Sequence, residues 1–262
     1  MSQTQILAVC SFKGGTAKTS TTLNLGAVLA KEHKKKVLVL DLDPQANLTL
    51  GLGYDPDTQD SLAPVLQNKK QIEDVILSTS LKNLFLIPAD TWLERVEVTE
   101  ALASDRYSHE KLKHLLSPLT SYDFILIDTP PSLCWLTESA LIAADYALIA
   151  TTPEFYSLKG MQRLAEFIDT LKGRHRLQVL GVLLSFWNER GQNNSAFVEM
   201  IENTFPGKLL QEKIRRDAEV AKAAIHGKPL IQTSAKSRAV QDYQALGVSL
   251  LKRLRSQQKT KV

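Results

Sequence analysis

The strongest constraint on this chain is the run Phe12-Lys13-Gly14-Gly15-Thr16-Ala17-Lys18-Thr19-Ser20. It follows the apolar stretch Ile6–Cys10 and precedes an amphipathic segment that begins at Thr21. Strand, glycine-rich turn, lysine, hydroxyl and helix come in the order that a phosphate-binding loop requires. Paired glycines let backbone N–H groups close around phosphate oxygens, and the helix N-terminus adds partial positive charge. The general pattern G-x-x-x-x-G-K-[ST] fails at two positions, where Phe12 and Ala17 stand in place of glycine. The run fits the deviant form K-G-G-x-x-K-[ST], which carries a second lysine, Lys13, ahead of the glycines. If the loop demands positive φ at Ala17, the alanine costs on the order of 1 kcal/mol.

Two further segments support this reading. Lys36–Gln45 contains a Val/Leu run that ends in Asp41 and Asp43, and Phe124–Pro131 contains another that ends in Asp128. Branched apolar runs without alternation suit central parallel strands covered on both faces. Carboxylates at the C-terminal ends of such strands stand where ligands bind in open α/β sheets. There they hold Mg²⁺ through its water shell or orient a water.

The rest of the chain alternates between the two periods. Strands are expected at Ile6–Cys10, Val37–Leu42, Leu84–Ile87, Phe124–Ile127, Tyr146–Thr151 and Val179–Leu184. Helices are expected at Thr19–Lys31, 109–117, 158–172, 195–204 and Val240–Leu254, the last with Tyr243, Leu246, Leu250 and Leu254 on one face. Residues 54–80 read as loop with short helices, and Lys34–Lys36 as a solvated turn. The expected fold is α/β, a mostly parallel twisted sheet with helices on both faces. The 262 residues are expected to form a single domain, and 44% apolar content supports a full core. There is no 18-residue apolar stretch and no basic-then-apolar leader pattern, so neither a membrane span nor a secretory signal is expected. Cys10 and Cys134 read as reduced core thiols of a cytosolic protein, and the five histidines show no ligand spacing.

Charge is distributed unevenly. Residues 208–262 hold thirteen Lys/Arg and four Asp/Glu, a local +9, which leaves −5 for the rest of a chain whose total is +4. A basic C-terminal portion on a mildly acidic body suggests a polyanionic partner. Without aromatic interleaving or a reading motif, the implied contact is with phosphates and not with sequence.

On these motifs the chain resembles the ParA/Soj family of partition ATPases, within the deviant P-loop NTPase group that also contains MinD. Lys13–Ala30 is similar to that family's first motif, Val37–Gly53 to its second and Asp123–Ala144 to its third. Weaker similarity runs through Glu154–Gly160 and His226–Pro229, so the resemblance covers nearly the whole chain. It implies ATP and Mg²⁺ as cofactors and a weak ATPase that switches between monomer and homodimer. It further implies non-specific DNA binding, a ParB-type partner, partition of chromosome or plasmid DNA, and a cytoplasmic, nucleoid-associated location.

The resemblance also implies roles. The nucleotide-binding residues would be Lys13, Gly14, Gly15, Thr16, Ala17, Lys18, Thr19 and Ser20. Lys18 would contact the β- and γ-phosphates, and Lys13 would reach the other subunit's phosphates across a dimer. Thr19 would ligate Mg²⁺, with Asp41 and Asp128 holding its waters, and Asp43 would position the attacking water. DNA contacts would fall among Lys213, Arg216, Lys222, Lys228, Arg238, Lys252 and Arg253. One departure affects these: the family often reads I-P-R-N-V-R where this chain reads Ile214-Arg215-Arg216-Asp217-Ala218-Glu219. Glu219 stands in place of a second arginine, and Arg215 in place of a proline that lies near the base.

Three rival readings stay open. A MinD-like membrane-cycling ATPase would end in an amphipathic helix, but the tail Ser256–Val262 is polar, so no stable membrane anchor is expected. An iron–sulfur carrier on the same scaffold needs interface cysteines that Cys10 and Cys134 poorly supply. A scaffold that binds nucleotide without hydrolysing it is the third. The first strand begins a few residues after Met1, so no N-terminal operator-binding domain and no direct operon repression are expected.

Overall fold

The computed structural model describes residues 3–102, 108–154, 157–171, 174–188 and 194–259. The first half runs β1 (Gln5–Cys10), α1 (Lys18–Lys31), β2 (Val37–Asp41), α2 (Asn47–Gly51), α3 (Leu62–Leu66), β3 (Leu77–Ser78), β4 (Leu84–Ile87), α4 (Trp92–Leu102), α5 (Lys111–Leu116) and β5 (Phe124–Asp128). The second half runs α6 (Trp135–Ala143), β6 (Tyr146–Thr151), α7 (Ser157–Leu171), β7 (Gln178–Trp187), α8 (Asn194–Thr204), β8 (Leu209–Arg215), α9 (Ala218–Ile225), α10 (Leu230–Thr233) and α11 (Arg238–Lys259). The eight strands form one sheet in the order β3-β4-β2-β5-β1-β6-β7-β8. Among the described residues only the short β3–β4 pair is antiparallel.

Side-chain alternation assigns each strand residue to one of two apolar layers. In β2, Leu38 and Leu40 face one layer with Ile125, Ile127, Leu136, Leu164 and Phe197. Val37 and Val39 face the other, with Leu25, Val28, Leu126, Tyr243 and Leu246. Both layers are needed because β2 and β5 are buried at every position. That is why they read as unbroken apolar runs. The strand ends are also aligned. Asp41 pairs in register with Asp128, and Val9 with Asp128, so the loop after β1 and both carboxylates share one edge of the sheet. β1 has β5 on one side and β6 on the other, the kind of switch point where α/β sheets take ligands.

The expected strands and helices are present, Leu84–Ile87 and Tyr146–Thr151 with the expected bounds and the others with shifted ends; residue 172, the expected end of one helix, lies outside the described residues. The last helix is longer than expected and does bury Tyr243, Leu246, Leu250 and Leu254. Four long elements left no signal in the pattern. α6 is buried almost all round, so it has no polar face to mark a helical period. β8 is an edge strand with Gln211, Glu212 and Lys213 in its middle, too polar to read as a strand. α4 and α9 also went unmarked. Lys34–Lys36 is not simply a solvated turn. Lys34 takes positive φ, Lys35 pairs with Asp123 at 3.0 Å, and Lys36 lies 4.6 Å from the Tyr122 ring centre.

Asp123 anchors the starts of β2 and β5 together. It accepts the Lys36 N–H at 2.8 Å and the Lys35 ammonium at 3.0 Å. Burial opposes its charge, but those two donors hold its carboxyl below the ordinary carboxylate range. A depressed folded value gives stability that is present above the unfolded pKa and is lost as pH falls through the folded one. Asp123→Asn is therefore expected to cost about 1 kcal/mol at pH 7. Urea unfolding at pH 7 and again at pH 3 should show that difference shrinking on the acid side.

Candidate phosphate-binding site

The loop Ser11–Ala17 joins β1 to α1, and its own hydroxyls brace it. Ser11 Oγ donates to the Lys13 carbonyl at 2.8 Å, and Thr16 Oγ1 donates to Ser11 Oγ at 2.9 Å. Gly14 and Gly15 are exposed, and nothing lies within 4 Å of where a Gly15 side chain would begin. Gly15 and Ala17 take positive φ, 75° and 64°. The left-handed strain foreseen for Ala17 is therefore present. Outside the loop, Phe12 rests on α7, where a side chain at Gly160 would come 2.2 Å from Phe12 Cβ. Only glycine permits that approach, which presses α7 against the loop's shoulder.

Behind the loop lies a buried charge cluster. Lys18, Asp41, Asp43 and Asp128 are all at most 7% exposed. Burial lowers the Lys18 pKa, while Asp128 and Asp43 favour its charged form. Burial raises Asp128 well above the carboxylate range and the charge of Asp41 adds to this, whereas the Thr19 hydroxyl and Lys18 pull the other way. Asp41 is raised chiefly by burial and is partly restored by hydrogen bonds from Thr49 and Asp43. Thr19 and Ser20 stand half-buried in the first turn of α1, and the Ser20 carbonyl accepts the Asn24 amide at 2.8 Å. Cys10, beneath the loop, is a thiol that burial pushes up to about 12, consistent with an unreactive core role.

The donor set suits a hard cation bound through water and phosphate oxygens. Asp128 Oδ2 is buried without a hydrogen-bond partner among the described residues, a costly arrangement unless something else meets it. Two in-register buried carboxylates likewise need a countercharge beyond Lys18. Among the described residues no group of three or more His, Cys, Asp or Glu could hold a metal directly.

The Lys13 ammonium pairs with Glu154, which follows the end of β6. Beside it opens a cleft of about 770 Å³, lined by Gly15, Glu154, Phe186, Asn188, Arg215 and Arg216. Gly15 lines it from the phosphate loop, whereas Lys18, Asp41, Asp43 and Asp128 do not, so it lies beside the loop and not over the buried charges. Arg215 is clamped by Asp242 of α11 through contacts of 2.6–3.0 Å.

Comparison with known proteins agrees with this geometry. The AAA domain family pattern matches residues 4–179. A ParA family protein of Chlamydia muridarum is 64% identical over 250 residues, covering 95% of this chain and 98% of that protein. The chain belongs to the ParA/Soj family. The sporulation initiation inhibitor protein Soj of Bacillus subtilis is 34% identical over 243 residues, 91% of this chain and 95% of Soj. Among solved structures, the septum site-determining protein MinD of Pyrococcus horikoshii, complexed with Mg-ADP, is similar with a TM-score of 0.77 and 30% identity. That match covers 93% of this chain and 94% of MinD.

The basic residues of this ParA/Soj member do not form one uniform surface. Lys213 lies 3.9 Å from the Trp187 ring centre, and Lys222 pairs with Glu219 at 2.7 Å. Arg253 donates to the Leu180 carbonyl at 3.4 Å. Arg216 and Arg238 stand together, with the Arg238 guanidinium on the Arg216 carbonyl at 3.5 Å. Lys252 is exposed fourteen residues further along α11, about 21 Å at 1.5 Å per residue. Lys228 lies apart from both, in a crevice shared with Thr19 and Ser20. Motif reading missed Thr49, which is fully buried against Asp41, and Glu154, whose contact with Lys13 spans 141 residues. Among the described residues no helix is long and apolar enough to cross a membrane.

The loop's strain can be tested from both sides. Gly15→Ala is expected to lower stability by about 1–2 kcal/mol through backbone conformation alone, since its side-chain position is open. Ala17→Gly should act in the opposite sense, by up to about 1 kcal/mol after the extra freedom of the unfolded chain is counted. Thermal unfolding of the two variants without nucleotide measures both.

Proposed function

We propose that this chain is an ATP-driven dimerisation switch that binds DNA non-specifically and partitions chromosome or plasmid DNA with a ParB-type partner. The observation that carries the reading is the convergence, at one sheet edge, of the deviant loop, buried Lys18 and the three carboxylates Asp41, Asp43 and Asp128. Family membership supports ATP as the substrate and Mg²⁺ as its companion ion.

The roles follow from chemistry. The N–H groups of Gly14–Lys18 cradle the phosphates, and Lys18 meets the β- and γ-phosphates as a point charge. Thr19 would ligate Mg²⁺, and Asp41 and Asp128 would hold its waters. When bound, Mg²⁺ supplies positive charge to the phosphate oxygens. Asp43 orients the attacking water. Lys13 leaves Glu154 and reaches the partner subunit's phosphates, where its charge acts in the manner of an arginine finger. A site completed only in the dimer makes hydrolysis a timer. Pairing two chains doubles the basic surface, and two weak phosphate-binding faces on one body bind a duplex far better than one. On this reading the protein spends its ATP-bound life on nucleoid DNA. Glu219 removes α9 from the contact surface by neutralising Lys222, so the contacts fall to Arg216, Arg238 and Lys252.

The deciding experiment is binding to arbitrary duplex DNA at fixed salt with ATP, ADP or no nucleotide, with Asp43→Ala used to hold the ATP state. Binding is expected only with ATP and should weaken steeply with salt. Arg216→Ala and Lys252→Ala should each lower the salt slope by about one. Lys13→Ala should abolish ATP-dependent dimerisation and cut hydrolysis at least about tenfold. No binding in any nucleotide state, despite measured ATP binding, would sink the DNA reading.

A further inference from the structure

The Asp41 carboxylate is held from both ends of a single short segment. Its Oδ1 accepts the Asp43 N–H at 3.2 Å. Its Oδ2 accepts both the N–H and the hydroxyl of Thr49, each at 2.8 Å. The Thr49 hydroxyl in turn accepts the Ala89 N–H at 3.0 Å, which ties it to the chain just after β4. Thr49 and Asp41 are both completely buried. Between the two anchor points the segment is internally closed. The Asp43 carbonyl accepts the Ala46 N–H, Asp43 Oδ1 accepts the Gln45 N–H, and Ala46, at φ 52°, starts α2.

Counting lone pairs gives this arrangement a consequence. A carboxylate oxygen offers two acceptor sites. Thr49 occupies both on Oδ2, so only Oδ1 has a site left for anything entering from the phosphate side. That same oxygen carries the Asp43 N–H. Any water of an incoming cation that binds Asp41 must therefore do so on the atom that fixes the backbone of Asp43. We propose that Thr49 is a positioning residue that selects which oxygen of Asp41 faces the cation and so couples cation binding to the placement of Asp43. The proposal rests on the reading of Asp41 and Asp43 given above. A purely structural Thr49 would satisfy the Ala89 N–H and fill space, with no influence on the cation.

The test uses the full-length chain, a fluorescent ATP analogue and MgCl₂. Thr49→Val keeps the shape and removes the hydroxyl, and Thr49→Ser keeps the hydroxyl. Half-maximal Mg²⁺ for nucleotide binding is expected to rise about tenfold in Thr49→Val, the usual scale for losing an outer partner of a metal ligand. Thr49→Ser should stay within about twofold of wild type, and binding in EDTA should be the same in all three. Amide hydrogen exchange supplies a readout independent of turnover. In wild type, adding Mg²⁺ to the nucleotide complex should change exchange across Asp43–Leu52, and Thr49→Val should lose that response. An unchanged Mg²⁺ midpoint in Thr49→Val overturns the proposal. Should that variant fail to fold, wild-type exchange across Asp43–Leu52 that is indifferent to Mg²⁺ overturns it equally. Wild-type nucleotide binding that ignores Mg²⁺ altogether would instead sink the magnesium reading, and the Thr49 proposal with it.

Discussion

Two carboxylates buried in register at the ends of adjacent strands are the constraint on which this structure turns. Asp41 and Asp128 share one sheet edge with almost no access to water, and Lys18 is the buried cation that partly offsets them. Buried like charges of this kind are expensive in a folded protein. The surroundings reduce that cost by hydrogen bonding, with Thr49 and Asp43 on one carboxylate and Thr22, at 3.4 Å, on the other. The cost is not fully removed, because Asp128 keeps an unpartnered oxygen. Such residual electrostatic need is what a site for a cation and a phosphate chain should contain. The two-layer core serves it, since only a sheet covered on both faces can bury the ends of β2 and β5 so completely.

The phosphate loop adds a second strained feature next to the first. Ala17 holds a left-handed conformation that glycine would take more easily, and Phe12 presses on α7 at the one residue type that can receive it. Strain of this kind persists where the surrounding structure over-determines it. Here the fixed points are the Ser11 and Thr16 hydroxyls inside the loop and α1, which is sandwiched between the sheet and α11.

The surface is organised differently. Several of its cations are engaged with neighbours, Lys213 on the Trp187 ring, Lys222 with Glu219 and Arg253 on the Leu180 carbonyl. Lys222 and Glu219 lie three residues apart on α9 and neutralise each other, so a cation counted from composition contributes little to an external field there. Arg215 spends its guanidinium on Asp242 and fixes β8 to α11. The net +9 of residues 208–262 thus overstates what a polyanion would meet.

Much of the fold and most of the candidate site were legible in the residues themselves. The loop, Lys18, Asp41, Asp43 and Asp128 could be read directly because phosphate chemistry demands particular residue types at fixed local spacing. Central strands could be read because burial on both faces leaves unbroken apolar runs. α6 and β8 escaped for the converse reason: one is buried all round, the other is a polar edge, and neither displays the period of its class. Local spacing marked Ala17 as costly only if the loop demanded positive φ there, and the structure supplies that φ of 64°. What only the tertiary structure decided is which distant groups meet. The 141-residue separation of Lys13 and Glu154, the junction of Ala89, Thr49 and Asp41, and the Arg215–Asp242 clamp are contacts that the order of strands in the sheet creates. A linear pattern records what a residue can do, but its partner is chosen by the packing of elements far apart in the chain.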